Sequence, residues 1–199
     1  MRLFLCSHFA QVGHLLEEEV EGKNIVFIPT ASINEAYTEY VETARELWKK
    51  MKTKIRELEI STAPMDEIRE TLAKADIIYL SGGNTFFLID QLKQRGVDQL
   101  IKQHVKDGKL YVGESAGAII CAKDISYIQL MDEVPEAYSH KAYSGLGWID
   151  FNPLPHYLCP PFNECTQQIL DRYQDLDICT LTNSQALFLE DGVKQKVTV

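Results

Sequence analysis

The pentapeptide Gly113-Glu114-Ser115-Ala116-Gly117 has the clearest chemical content in this sequence. A serine with a glycine two residues to either side matches the G-x-S-x-G turn, where a strand reverses into a helix and presents the serine hydroxyl at its tip. The turn is sharp, so the serine backbone is strained and bulk at either glycine would clash. The helix that starts at the serine aims its free N–H groups at developing negative charge, which makes the Ala116 N–H a candidate oxyanion donor. By itself the pentapeptide could be only a tight turn. The apolar run at 109–112 before it and the apolar helical stretch through Cys121 after it supply the strand–turn–helix setting. The chemistry that follows is attack by Ser115 on a carbonyl carbon.

A serine hydroxyl needs a base. Of the five histidines, His104 falls on a charged helical face and reads as solvated, while His8 and His14 flank the first strand–helix turn. His140 lies in an irregular polar segment and is an outside candidate. His156 lies in Asn152-Pro153-Leu154-Pro155-His156-Tyr157, held between rigid proline turns and an aromatic ring, and follows the serine in chain order. A third group would accept the other ring N–H. Asp132 and Glu133 lie between serine and histidine, Asp150 and Glu164 lie nearer the histidine, and spacing does not choose among them. A second glycine-rich turn, Ser81-Gly82-Gly83-Asn84, offers backbone N–H groups that can come close to a ligand because glycine has no Cβ. It suits a second oxyanion donor. It is not G-x-G-x-x-G and carries no Lys-Ser/Thr pair, so a nucleotide site is not supported.

The elements that must position these residues alternate along the chain. Runs at 3–6, 24–29, 75–80 and 109–112 are continuous and apolar, as in strands buried on both faces. Residues 54–60 alternate and suit a strand nearer an edge. Helical periodicity runs from 34 to about 51, with Tyr40/Val41, Ala44 and Leu47/Trp48 on one face, and again at 65–73, 85–94 and 97–106. Residues 123–160 read as loops and short strands, 162–173 as a helix, and 177–182 and 185–189 as strands. Asp191-Gly192 reads as a hairpin turn into 193–199. The alternation predicts one domain over 1–199, a three-layer α/β/α sandwich around a mostly parallel, doubly wound sheet. Ligands bind such sheets at the carboxyl ends of the strands, and both glycine-rich turns fall there.

Composition narrows the function classes. Hydrophobic residues make up 45% and charged residues 25% of the 199, which fits a globular chain rather than a disordered one. Twenty basic against twenty-nine acidic side chains give a net charge of −9, which repels nucleic-acid phosphates. The lysines at 49, 50, 52 and 54 read as the solvated end of a helix. Five cysteines, an odd number without a C-x-x-C, point away from a disulfide framework or a zinc ribbon and towards a reduced, cytoplasmic setting. The apolar run at the N-terminus is too short for a signal peptide, and no run approaches a membrane span. With no clustered ligands, neither a metal nor a cofactor is expected.

Three segments together resemble the peptidase E (S51) family: Tyr79-Leu80-Ser81-Gly82-Gly83-Asn84-Thr85-Phe86, Gly113-Glu114-Ser115-Ala116-Gly117-Ala118 and Asn152-Pro153-Leu154-Pro155-His156-Tyr157. They occur in family order across most of the chain. The resemblance implies a fold akin to class I glutamine amidotransferases with serine in place of cysteine, and intracellular hydrolysis of a small peptide; the sequence leaves monomer and homodimer both open. It makes Ser115 the nucleophile and His156 the base. It assigns the glycine-rich turn Gly82, Gly83 and Asn84 to the substrate, and names Gly83 and Ala116 as oxyanion donors. The family's dipeptidases carry an acid just before a Met-Pro or similar pair, and in Met131-Asp132-Glu133-Val134-Pro135 the better match is Glu133. Cyanophycin-degrading relatives place a glutamate after the histidine. Here that stretch is Thr182-Asn183-Ser184-Gln185, without an acid, which favours Glu133 or a Ser–His dyad. The alternative from another class is a family-like protein that binds a small molecule or partner and has lost turnover.

Aspartyl dipeptidases of this family bind the substrate's acidic side chain with an arginine in the helix after the histidine. The corresponding residues here, Asn163-Glu164-Cys165-Thr166-Gln167-Gln168, include none, and Arg172 lies one to two turns too far along. A charge-assisted contact of that kind contributes about 1.5–3 kcal/mol, roughly ten- to a hundredfold in kcat/KM. Across a panel of Xaa-Leu dipeptides differing only in Xaa, the expected result is no strong preference for Asp over Asn, Ala and Leu. A clear preference for Asp would show that another cation reaches the pocket.

Overall fold

The computed structural model describes residues 1–139 and 142–199, and in it the apolar runs become strands. In chain order these are β1 (Arg2–Cys6), β2 (Asn24–Ile28), β3 (Lys54–Glu57), β4 (Ile77–Leu80), β5 (Leu110–Glu114), β6 (Asn152–Leu154), β7 (Ile178–Thr180), β8 (Gln185–Glu190) and β9 (Val193–Thr198). Seven form one sheet in the order β3-β2-β4-β5-β1-β8-β9. The first five of that order run parallel; β8 is antiparallel to β1, and β9 to β8. β6 and β7 pair in parallel as a small separate sheet.

Successive side chains on a strand point to opposite faces, and here both faces are apolar. Leu3, Leu5, Val26, Ile28, Ile78, Leu80 and Tyr111 belong to one buried cluster. Phe4, Cys6, Ile25, Phe27, Ile77, Tyr79, Leu110 and Val112 belong to another. A sheet of this kind must be covered on both sides. The helices are α1 (Phe9–Val12), α2 (Glu17–Val20), α3 (Glu39–Lys50), α4 (Met65–Ala73), α5 (Thr85–Gln94), α6 (Val97–Lys106), α7 (Ala116–Ile119) and α8 (Asn163–Arg172). Residues of α4–α8 join the first cluster, and residues of α1–α3 join the second. The result is the three-layer α/β arrangement that the alternation predicts.

Differences from the sequence expectation have local causes. The helix expected from 34 starts at Glu39, because the chain after β2 first makes a 3-10 turn at Thr30–Ser32, closed by the Ser32 hydroxyl donating to Pro29 O at 2.7 Å. The strand expected over 54–60 stops at Glu57; Glu59 turns inward, where its Oε1 accepts from the Thr30 hydroxyl at 2.9 Å and the Ser61 N–H at 2.9 Å. His104 is buried, not solvated: its Nε2 lies 3.0 Å from Leu110 O, and burial pushes its pKa below the usual value. The Asp191-Gly192 hairpin turn forms as expected, both residues taking positive φ, +49° and +83°.

The second cluster is built around aromatic rings. The Trp48 ring stacks on Phe9 at 4.6 Å and meets Tyr79 edge-on at 5.8 Å. All three are fully buried. Trp48→Ala is expected to destabilise the fold by about 3–5 kcal/mol, measured as a lowered denaturant midpoint. A loss below about 1 kcal/mol would show that the helix layer does not rest on this stack.

Candidate active site

The two glycine-rich turns leave neighbouring strands and meet. β4 and β5 are paired, with Leu80 opposite Gly113, so the turns after them lie side by side at the carboxyl edge of the sheet. A Cβ placed on Gly82 would stand 3.2 Å from the Ser115 Cβ and 3.3 Å from the Tyr40 ring. Ser115 sits at the tip of the second turn with φ +48° and ψ −105°, outside the regions that L-residues favour. Several contacts hold it there. Its N–H donates to Cys6 O at 2.8 Å, and its carbonyl accepts from Ala118 at 2.9 Å and Ile119 at 3.0 Å. The Tyr111 hydroxyl donates to Gly117 O at 2.7 Å.

The flanking glycines are a steric requirement. A Cβ at Gly113 would lie 2.4 Å from Gly117 O, and a Cβ at Gly117 would lie 2.5 Å from Leu80 O. Both neighbours are backbone and cannot move aside. Gly83 is equally constrained: its φ is +129°, and a Cβ would lie 2.2 Å from Ala31 O. Among the described residues, no backbone carbonyl accepts from the N–H of Gly83 or of Ala116.

His156 reaches Ser115 from the segment after β6. Its Nε2 lies 2.9 Å from Ser115 Oγ. Its Nδ1 lies 2.8 Å from Asn183 Oδ1. An amide oxygen only accepts, so Nδ1 carries the hydrogen and, in the neutral ring, the Nε2 lone pair faces the serine hydroxyl. The ring stacks on Phe162 with centroids 4.8 Å apart. The backbone is also tied down: His156 has φ +60°, its N–H donates to Ser7 Oγ at 3.0 Å, and the Ser7 hydroxyl donates to Leu181 O at 2.9 Å. Burial holds the His156 pKa below the usual histidine value, against the Asn183 hydrogen bond and the nearby Glu114 charge, which favour the protonated form.

The orienting position expected for Glu133 is held by Asn183. Glu133 is exposed, and its backbone carbonyl accepts from Asn84 Nδ2 at 2.7 Å. Asp132 accepts from the Thr85 N–H at 2.8 Å, and burial raises its pKa to about 6. Asp150 pairs with Lys123, and Glu164 accepts from Gln168 within α8. The physical reason lies in the chain path. The 131–135 segment packs over the start of α5, whereas the His156 loop is bonded to residues 181–183, with Tyr157 N–H donating to Leu181 O at 3.0 Å. Asn84 caps α5, its Oδ1 accepting from Phe87 N–H at 2.8 Å, so its amide serves the turn. His140 lies outside the described residues.

Behind the serine is a group the motif did not flag. Glu114 is 1% exposed; it accepts from the Phe9 N–H at 2.7 Å and from the Tyr79 hydroxyl, and lies 3.3 Å from His8 Nδ1. Among the described residues, no group of three or more His, Cys, Asp or Glu side chains could hold a metal ion, and no helix is long and apolar enough to cross a membrane.

A model of peptidase family S51 matches residues 6–197. An uncharacterized peptidase of Listeria monocytogenes is 43% identical over 191 residues, 94% of this chain and 93% of the relative. Peptidase E of Shewanella amazonensis is 33% identical over 136 residues, 68% of this chain and 54% of the relative. The crystal structure of a candidate peptidase E protein from Listeria monocytogenes has a TM-score of 0.95 at 41% identity, with 100% of this chain and 98% of that chain covered. On the family match and these likenesses, the chain belongs to peptidase family S51.

Proposed function

We propose that the protein is a serine peptidase that hydrolyses small peptides through an acyl-enzyme. The observation that carries this reading is the 2.9 Å contact between Ser115 Oγ and His156 Nε2, with Asn183 fixing the other ring nitrogen. Membership of a peptidase family supports the reaction class. Ser115 Oγ attacks the scissile carbonyl while its proton passes to His156 Nε2. The N–H groups of Ala116 and Gly83 face the developing oxyanion. His156 then gives the proton to the leaving amine. Water attacks the ester with His156 as base, and Ser115 is regenerated. Asn183 accepts the Nδ1 hydrogen throughout, so Nε2 always faces the serine.

An active-site-directed fluorophosphonate is expected to label the wild type and not Ser115→Ala. Labelling of Ser115→Ala at the wild-type rate would place the nucleophile elsewhere. Hydrolysis of short peptides by the wild type, lost in Ser115→Ala, completes the test. Removing the Asn183 amide leaves a buried Nδ1–H unpaired, which costs about 1–3 kcal/mol. Asn183→Ala is therefore expected to lower kcat roughly ten- to a hundredfold, with a smaller change in KM. An unchanged kcat would remove Asn183 from the mechanism.

The acid limb of the pH profile follows from the His156 environment. The base must be neutral, and burial lowers its pKa, so the neutral form persists to a more acidic pH than for an ordinary histidine. Peptide hydrolysis is expected to fall only below about pH 6.5, the ordinary histidine value. A limb clearly above that value would mean that a different group supplies the base.

A further inference from the structure

Asn183 can hold the His156 ring but cannot offset a charge. When His156 takes the serine proton it becomes an imidazolium, and in a triad the acid behind it stabilises that cation. Here the partner is a neutral amide, so the compensating charge must come from elsewhere or be absent.

The residues after β1 tie a carboxylate to the same assembly. Cys6 O accepts the Ser115 N–H at 2.8 Å, Ser7 Oγ accepts the His156 N–H at 3.0 Å, and His8 Nδ1 lies 3.3 Å from Glu114 Oε1. Three consecutive residues thus contact the serine, the histidine and Glu114, which itself precedes the serine in the chain. Both Glu114 oxygens accept from donors, the Phe9 N–H and the Tyr79 hydroxyl, as suits a carboxylate rather than an acid. Burying a carboxylate is expensive unless it is paired. The titratable groups around it are Cys6, His8, Tyr40, Tyr79 and His156. Of these only the two histidines can carry positive charge. No lysine or arginine forms an ion pair with Glu114 among the described residues.

We propose that Glu114 supplies the negative charge that the Ser115–His156–Asn183 chain lacks, stabilising the His156 imidazolium without bonding to its ring. Orientation and charge compensation, which one acid supplies in a triad, are here divided between Asn183 and Glu114. Glu114 is a positioning residue that acts through His156. The assignment rests on the catalytic reading of Ser115 and His156. The field at His156 agrees: the Glu114 charge favours the protonated ring, while His8, when protonated, opposes it. His8 therefore competes with His156 for the same carboxylate.

The test is an NMR titration of the histidine rings in the full-length protein, with the His156 signal assigned by its loss in His156→Gln. Glu114→Gln is expected to move the His156 midpoint to lower pH, because its cation loses a counter-charge. Asn183→Asp is expected to move it to higher pH, and combining the two should return it towards the wild type. An unmoved midpoint in folded Glu114→Gln overturns the proposal. Should that variant fail to fold, the Glu114 carboxyl carbon is followed in the wild type. The proposal requires it to stay deprotonated across the whole His156 titration, and a carboxyl that takes up its proton above the His156 midpoint overturns it. Fluorophosphonate labelling separates the two readings. Labelled Ser115 with an unmoved midpoint sinks only the charge assignment, whereas a moved midpoint without labelling or peptide hydrolysis sinks only the peptidase reading.

Discussion

The site depends on a serine backbone held where it does not prefer to be. A non-glycine residue at φ +48° and ψ −105° costs on the order of 1–3 kcal/mol and persists only when its surroundings over-determine it. The surroundings here do so from three strands. The Cys6 carbonyl on β1 takes the serine N–H, Tyr111 on β5 takes hold of the Gly117 carbonyl, and Leu80 on β4 packs so close to Gly117 that no side chain fits. Each of these strands is buried on both faces. The strain is therefore supported by the core itself, and the hydroxyl stands at the sheet edge with little freedom.

The same economy explains why β1 matters more than its five residues suggest. It lies between β5 and β8, and the residues just past its end serve both sides. Towards β5, Cys6 and His8 contact Ser115 and Glu114. Towards β8, Ser7 joins His156 to Leu181. The Ser7 hydroxyl accepts one hydrogen bond and donates another, and it is buried, so its loss would leave both the His156 N–H and the Leu181 carbonyl without a partner. The alignment of serine and histidine, 41 residues apart in sequence, is thus set by a tripeptide more than a hundred residues before either.

Much of this was legible in the sequence. The core strands announced themselves as continuous apolar runs because both their faces are covered. The serine turn is legible because only glycine fits two residues to either side of Ser115. His156 was legible from its prolines, which fix the loop. Asn183 is not, since its segment, Thr182-Asn183-Ser184-Gln185, holds no acid. A search for a carboxylate passes over an amide, and nothing local to residue 183 reveals that the chain returns beneath residue 156. That return is set by hydrogen bonds between backbones, Leu181 N–H to Leu154 O at 2.9 Å and Tyr157 N–H to Leu181 O at 3.0 Å. Glu133 failed as a geometric partner for the complementary reason: its sequence context fits, but its segment is anchored to the cap of α5. His104 shows the limit of periodicity alone, since a polar residue on a mixed helix face can still be covered when a backbone carbonyl waits for its ring nitrogen.

Dividing orientation from charge has a physical consequence. A carboxylate bonded to the ring does two jobs at one distance, so strengthening one strengthens the other. An amide on the ring and a carboxylate behind the nucleophile can be tuned independently. The amide sets which nitrogen faces the serine. The carboxylate sets how readily that nitrogen holds a proton, and its influence is graded by whatever else it pairs with. In this protein that other partner is His8, half-buried at the rim of the same edge. A charge on His8 lowers the proton affinity of His156, while the Glu114 charge raises it, so the two effects act in opposite directions on one ring. The proposed base would then respond to a charge on a second histidine, one that faces Glu114. Because such contributions add, a charge on His8 offsets part of the Glu114 effect without changing which nitrogen Asn183 turns towards the serine.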